Sequence, residues 1–224
     1  MDRDDAIEQA RKSPLSYGVR ILQAPDGRKL VILGETHLKL PRASRIGKTV
    51  VKAFALRGVE TFPRRRVLGG QLLKLVIEVP RLLLRVLSLG YIKGSTIVDA
   101  LPAFPLESVS RVPLGLHVAS IYLSAFFIVS FAAPFWPPLL PVAILFQWHL
   151  LALIPALLLR RWRWSWILHP MIAILTLRNS MMAEGTVKML AQHSEDPALV
   201  IMGRAHLPGY ERELIERYSF TRSH

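Results

Sequence analysis

The sequence predicts a split α/β domain with an inserted transmembrane helical hairpin and an interfacial amphipathic helix. Three observations carry this expectation. One phrase occurs twice: residues 30–38 read LVILGETHL and residues 199–207 read LVIMGRAHL, identical at six of nine positions. Between the copies, residues 112–159 contain no Asp, Glu, Lys or Arg. Ahead of that apolar run, residues 70–89 read as a helix whose charges fall at Lys74, Glu78, Arg81 and Arg85, a spacing that puts all four on one face.

The strands come first. Each copy of the phrase is a short β-branched run ending in Gly-x-x-His, the pattern of a buried strand that delivers a side chain to the rim of a sheet. Gly34 and Gly203 are expected to permit a sharp turn or a close ligand approach there. Residues 17–22 and 29–33 flank Ala24-Pro25-Asp26-Gly27, a turn signal in which Pro presets φ and Gly accepts positive φ, so they read as a β-hairpin. Residues 44–56 have a helical pattern, and residues 57–62 read as the next strand, with Glu60 near its end. Strand, helix, strand implies a parallel crossover. Residues 171–192 read as a helix, 198–202 as the last strand and 209–218 as the last helix.

The charge-free centre is long enough for two crossings of about 20 residues each. Residues 114–136 and 139–159 are the expected spans, with Trp136-Pro137-Pro138 as the turn that stops the first. Pro141 and Pro155 are expected to kink the second. His117 and His149 read as hydrogen-bonded packing residues. Arg111 precedes the run and Arg160, Arg161 and Arg163 follow it, so the positive-inside rule puts both ends, and with them both soluble halves, on the cytoplasmic side. The expected organisation is an N-terminal half over residues 1–66, the interfacial helix and linker over 67–111, the hairpin over 112–163 and a C-terminal half over 164–224.

Composition agrees with an integral membrane protein. The 224 residues are 51% hydrophobic and carry a net charge of +13, with a mean hydropathy of +0.33. Residues 42–93 hold twelve Lys or Arg against Glu60 and Glu78, which points to a bilayer containing anionic lipid as the partner. Tryptophans 162, 164 and 166 alternate with arginines, an interfacial belt rather than a stacking platform, so no nucleic acid is expected. Cysteine is absent, which excludes disulfides and thiolate metal sites. The charged N-terminus does not read as a secretory signal. Neither nucleotide-binding glycine loop is present.

Two imidazoles at the ends of matched strands are candidates to hold one divalent metal, or to act as acid and base on one substrate. His37 and His206 are the expected metal ligands. Glu60 is the expected carboxylate ligand or general base, and Glu35 a second site carboxylate. Zinc, manganese and cobalt suit such a set equally.

The order of Gly34 to His37, Glu60, the run Arg178-Asn179-Ser180-Met181-Met182-Ala183, and Gly203 to Gly209 resembles the TraB, GumN and Tiki group. The phrase with Glu35 also resembles the related ChaN and erythromycin-esterase branches. The resemblance covers roughly half the chain and implies a TraB/Tiki-like α/β domain. It also implies metal-dependent hydrolysis of peptides, with the two histidines, the glutamate and the arginine as the working residues, Arg178 being the group for an oxyanion or a substrate carboxylate. The chain departs from the group at Leu177, where an acidic residue is usual. The expected activity is that of a membrane-anchored, metal-dependent peptidase-like hydrolase at the cytoplasmic membrane face, with a peptide substrate. The alternative is a non-catalytic member that sequesters a peptide or other ligand at the membrane. A homo-oligomer is a further expectation.

Overall fold

The computed structural model describes residues 2–36, 41–90, 102–159 and 165–223. The chain forms two compact units. One comprises Met1–Phe62, Leu83–Ser110 and Asn179–His224, the other Pro63–Leu82 and Arg111–Arg178.

The first unit is a mixed α/β sandwich. Helix α1 (Arg3–Arg11) leads into the antiparallel hairpin of β1 (Tyr17–Gln23) and β2 (Lys29–Glu35). At its turn Gly27 adopts φ of +90°, while the Ala24 N–H donates to the Arg28 carbonyl at 2.8 Å. Helix α2 (Pro41–Lys52) crosses to β3 (Arg57–Val59). It starts earlier than the apolar pattern implied, because the fixed φ of Pro41 suits the first helical residue. The short strand β4 (Phe104–Pro105) is followed by a 3-10 turn at Leu106–Val109. Helix α7 (Met171–Gln192), which begins in the second unit, then leads to β5 (Ala198–Gly203), α8 (Leu207–Tyr218) and the two-residue β6 (Thr221–Arg222).

The six strands are ordered β4-β3-β5-β2-β1-β6. The two copies of the repeated phrase are therefore neighbours, paired in parallel with Gly34 opposite Met202 and Glu35 opposite Gly203. Strand β3 lies parallel to β5 on its other side. Alternation along β2 explains its unbroken apolar run. Leu30 and Ile32 join a core with Met182, Met189, Val200 and Tyr210, whereas Val31 and Leu33 join the opposite core with Val50, Phe54, Leu199 and Ile201. A strand covered on both faces has no side to spare for polar residues.

The second unit holds the apolar centre. Helix α4 (Leu114–Ala132) is followed by a 3-10 turn at Pro137–Leu139, α5 (Leu140–His149), another 3-10 turn at Leu150–Ala152, and α6 (Leu153–Leu158). Leu114–Ala132 and Pro137–Leu158 each have a mean hydropathy of 1.9 and are long and apolar enough to cross a membrane. Two details differ from the sequence expectation. The turn falls before Pro137, and the proline pair opens the second helical path instead of ending the first, since a proline in the first turn forfeits no intrahelical bond. The 3-10 interruption lies just ahead of Pro155, which has no N–H to give to the carbonyl four residues back. His117 is hydrogen-bonded as expected, its Nδ1 accepting the Leu68 N–H at 3.1 Å.

Helix α3 (Gly70–Leu87) runs from the second unit into the first. Lys74 and Glu78 pair along its charged stripe at 3.6 Å. Leu72, Leu75, Val79, Leu82, Leu83, Val86 and Leu87 are exposed.

Candidate functional site

The parallel strands β2, β5 and β3 all end at one edge of the sheet, the edge where open α/β sheets bind their ligands. Three of the residues singled out in the sequence stand there. Glu35 is the last residue of β2 and is fully buried, in register with Gly203. Glu60 follows β3 directly. His206 ends the 3-10 turn Arg204–His206 that links β5 to α8, and it too is buried.

Glu60 is held by β5 at two points. Its backbone N–H donates to the Ile201 carbonyl at 2.9 Å, and its Oε2 accepts the Gly203 N–H at 2.5 Å. These bonds carry the pairing one residue beyond β3. The remaining carboxylate oxygen, Oε1, lies 3.7 Å from His206 Nε2. Gly203 does not turn the chain. Its φ is −62°, open to any residue, and its N–H orients the carboxylate. Gly34 does not turn the chain either. A Cβ there would lie 2.2 Å from Leu207 Cδ1, so its bareness makes room for the side chain that opens α8.

The other face of the His206 ring meets a residue that the reading of the sequence passed over. His206 Nδ1 lies 2.8 Å from Asn179 Oδ1. An amide oxygen only accepts, so Nδ1 carries the proton. In the neutral ring Nε2 then turns a lone pair toward Glu60 Oε1. Two acceptors facing each other at this distance close around a cation or a second ring proton. Asn179 is itself buried, and its amide nitrogen rests on the bare Cα of Gly209, where a Cβ would come within 2.1 Å of it. The signal was present in the sequence, for Asn179 is the second residue of the Arg-Asn-x-x-Met-Ala run, from which only Arg178 was singled out.

The expected metal set can be tested in part. Two bonds of about 2 Å each bring donor atoms within about 4 Å of each other, and the 3.7 Å between His206 Nε2 and Glu60 Oε1 satisfies that limit. The hydrogen bond at Nδ1 is the outer-shell support that metal-ligating histidines normally have. Among the described residues no third His, Cys, Asp or Glu joins the pair. His37 lies outside the described residues. Arg178 is a buried residue of α7 and the last of the second unit.

Comparison with known proteins gives no further guide: no family model, no curated protein and no solved structure matches this chain.

Proposed function

We propose that this chain is a membrane-anchored, metal-dependent hydrolase of the TraB and Tiki type, acting on peptide-like substrates at the cytoplasmic face of its membrane. The observation that carries the proposal is the trio of buried Asn179, buried His206 and half-buried Glu60 at the carboxyl ends of the parallel strands. Asn179 sets the tautomer of His206, so that Nε2, on the side of Glu60, is the nitrogen with a lone pair for a ligand. The Gly203 N–H binds one oxygen of Glu60, and the other, Oε1, faces His206 Nε2, placed to share the ligand or to take a proton. His37 is assigned as the second imidazole and Glu35 as a supporting carboxylate. A divalent ion bound there would supply an activated water, with a pKa near about 7 in the case of zinc.

Membrane anchoring is supported by the two apolar helices and by their exposed faces, which include Ile144, Leu145, Trp148 and Ile154. The arginines flanking both ends favour the cytoplasmic side. The exposed apolar row of α3, with the basic residues around it, suits the headgroup layer of an anionic bilayer.

The test uses the full chain purified in detergent. Elemental analysis and peptide-cleavage assays would compare the wild type with Glu60→Gln and His206→Ala. Bound divalent metal and cleavage that both variants lose are the expected result. Metal content and cleavage unchanged in both variants would overturn the proposal. Peptide binding without any Glu60-dependent cleavage would assign the chain to ligand sequestration instead.

A further inference from the structure

We infer that residues 165–177 form a third membrane-embedded segment, a re-entrant half-span clamped at mid-depth by Tyr122, His149 and His169. The inference rests on the reading that α4 and the α5–α6 path cross a bilayer. It adds lipid hydrocarbon as the partner of a stretch that the sequence alone assigns to the soluble C-terminal half.

Depth carries the first part of the argument. Tyr122 lies eight residues into α4, about 12 Å from its start at about 1.5 Å per residue. His149 lies nine residues before the end of α6, about 14 Å by the same measure. Both touch His169. The Tyr122 hydroxyl is 2.8 Å from His149 Nδ1 and 3.4 Å from His169 Nε2, and the two imidazoles stack with centroids 4.7 Å apart. His169 is fully buried, so it shares the depth of the other two. Helix α7 then climbs back. A Cβ on Gly115, at the base of the hairpin, would lie 2.6 Å from Leu177 and 3.0 Å from the Trp166 ring. The chain is therefore at the base of the hairpin at Trp166, well inside it at His169, and at the base again at Leu177. Residues 165–177 (SWILHPMIAILTL) carry no formal charge. Ile167 and Leu168, beside the buried histidine, are 61% and 37% exposed, which suits contact with lipid.

Backbone satisfaction carries the second part. Within hydrocarbon a helix can begin only where its first N–H groups find partners inside the protein. At the start of α7, Pro170 has no N–H. The Met171 N–H donates to His169 Nδ1 at 3.3 Å, the Ile172 N–H to the His169 carbonyl at 3.0 Å, and the Ala173 N–H to the Pro170 carbonyl at 3.0 Å. Thr176 donates its hydroxyl to the Ile172 carbonyl at 2.9 Å. The protons form one directed chain. Because His169 Nδ1 accepts, its Nε2 carries the hydrogen and donates to Tyr122 Oη, and Tyr122 in turn donates to His149 Nδ1. Polar side chains in a membrane are tolerated when paired in this way.

The chain has no cysteine, so single spin labels can be placed directly. The full chain would be reconstituted in vesicles of phosphatidylcholine and phosphatidylglycerol, with a label at Leu168, at Leu145 on α5, or at Glu216 on α8. Accessibility to oxygen against a water-soluble nickel chelate reports depth. The expected result is a ratio severalfold higher at 168 and 145 than at 216. A lipid-like ratio at 145 with a water-like ratio at 168 would overturn the re-entrant segment and leave the hairpin reading intact. Water-like ratios at both sites would overturn both. Tyr122→Phe is expected to move residue 168 toward water without moving 145, and an unchanged ratio at 168 in that variant would refute the clamp.

Discussion

Gly209→Ala is the most demanding test of the site geometry, because it alters no polar group. An alanine Cβ at this position would lie 2.1 Å from Asn179 Nδ2 and 3.2 Å from its Cγ. Ordinary contact begins near about 3.4 Å, so the amide must retreat by more than about 1 Å. The bond from His206 Nδ1 to Asn179 Oδ1, now 2.8 Å, would then pass the limit of a hydrogen bond. Overpacking a buried position costs about 1–3 kcal/mol, and losing one buried hydrogen bond about 0.5–1.5 kcal/mol. The expected destabilisation of the α/β unit is about 2–4 kcal/mol. The assay is a double-mutant cycle by urea denaturation, followed by far-UV circular dichroism, with Asn179→Ala as the second change. An alanine at 179 vacates the space that the new methyl needs. Gly209→Ala should therefore cost little in that background, with a coupling of at least about 1 kcal/mol. On the proposed metal site, affinity should fall about 10–100-fold in Gly209→Ala, as is usual when the support of a ligating imidazole is lost. Equal cost of Gly209→Ala in both backgrounds would refute the packing of Gly209 beneath Asn179.

Three further outcomes are expected. Gly185→Ala would put a Cβ 1.9 Å from the Leu106 carbonyl oxygen; since backbone cannot rotate aside, a loss of about 3 kcal/mol or more is expected in the same denaturation assay, and a loss under about 1 kcal/mol would contradict that contact. Glu184 accepts bonds from Lys188 at 2.6 Å and Ser110 at 2.7 Å, and these, Lys188 first, hold its carboxyl below the usual range. Such a depressed value contributes stability above the unfolded pKa that is lost as pH falls through the folded one, so the cost of Ser110→Ala should shrink between about pH 6 and about pH 3; a pH-independent cost would count against it. Tyr210 is fully buried against Thr186, with its hydroxyl 2.5 Å from Thr186 Oγ1, and burial pushes its ionisation well above the ordinary range. Its contribution is complete below about pH 10 and declines above it, because only the unfolded chain can release the proton there. Tyr210→Phe should flatten that alkaline decline, and an identical decline in the variant would exclude the phenol as its source.

Much of the architecture is written locally. The hairpin of β1 and β2 is legible because Pro25-Asp26-Gly27 defines a turn and apolar runs flank it. The adjacent pairing of β2 with β5 follows from a phrase used twice, each copy apolar on both faces. The membrane unit is legible from the absence of charge, although local rules misplace its turn by treating Pro137 as a stop when it is a start. Glycine is the weaker guide. Gly34 and Gly203 invite a reading as turn or ligand-approach positions, yet Gly34 lies within β2 and makes room for Leu207, and Gly203 has a φ of −62° that any residue adopts. A glycine announces that a Cβ is unwelcome without saying which distant atom excludes it.

The sequence by itself determined the β1–β2 hairpin, β3, β5 and the later helices, though not α1, β4 or β6, together with the apolar hairpin and the acidic and imidazole groups from which a site could be built. These follow from periodicity, turn chemistry and charge, which act over a few residues. Only the tertiary structure decided that Asn179, and not a carboxylate, supports His206, that Glu60 is fixed by a backbone N–H from β5, and that His169 joins Tyr122 and His149. Each of those contacts joins residues from 20 to more than 140 positions apart. No local pattern encodes such a meeting, because it depends on how separate elements pack once their apolar faces are buried.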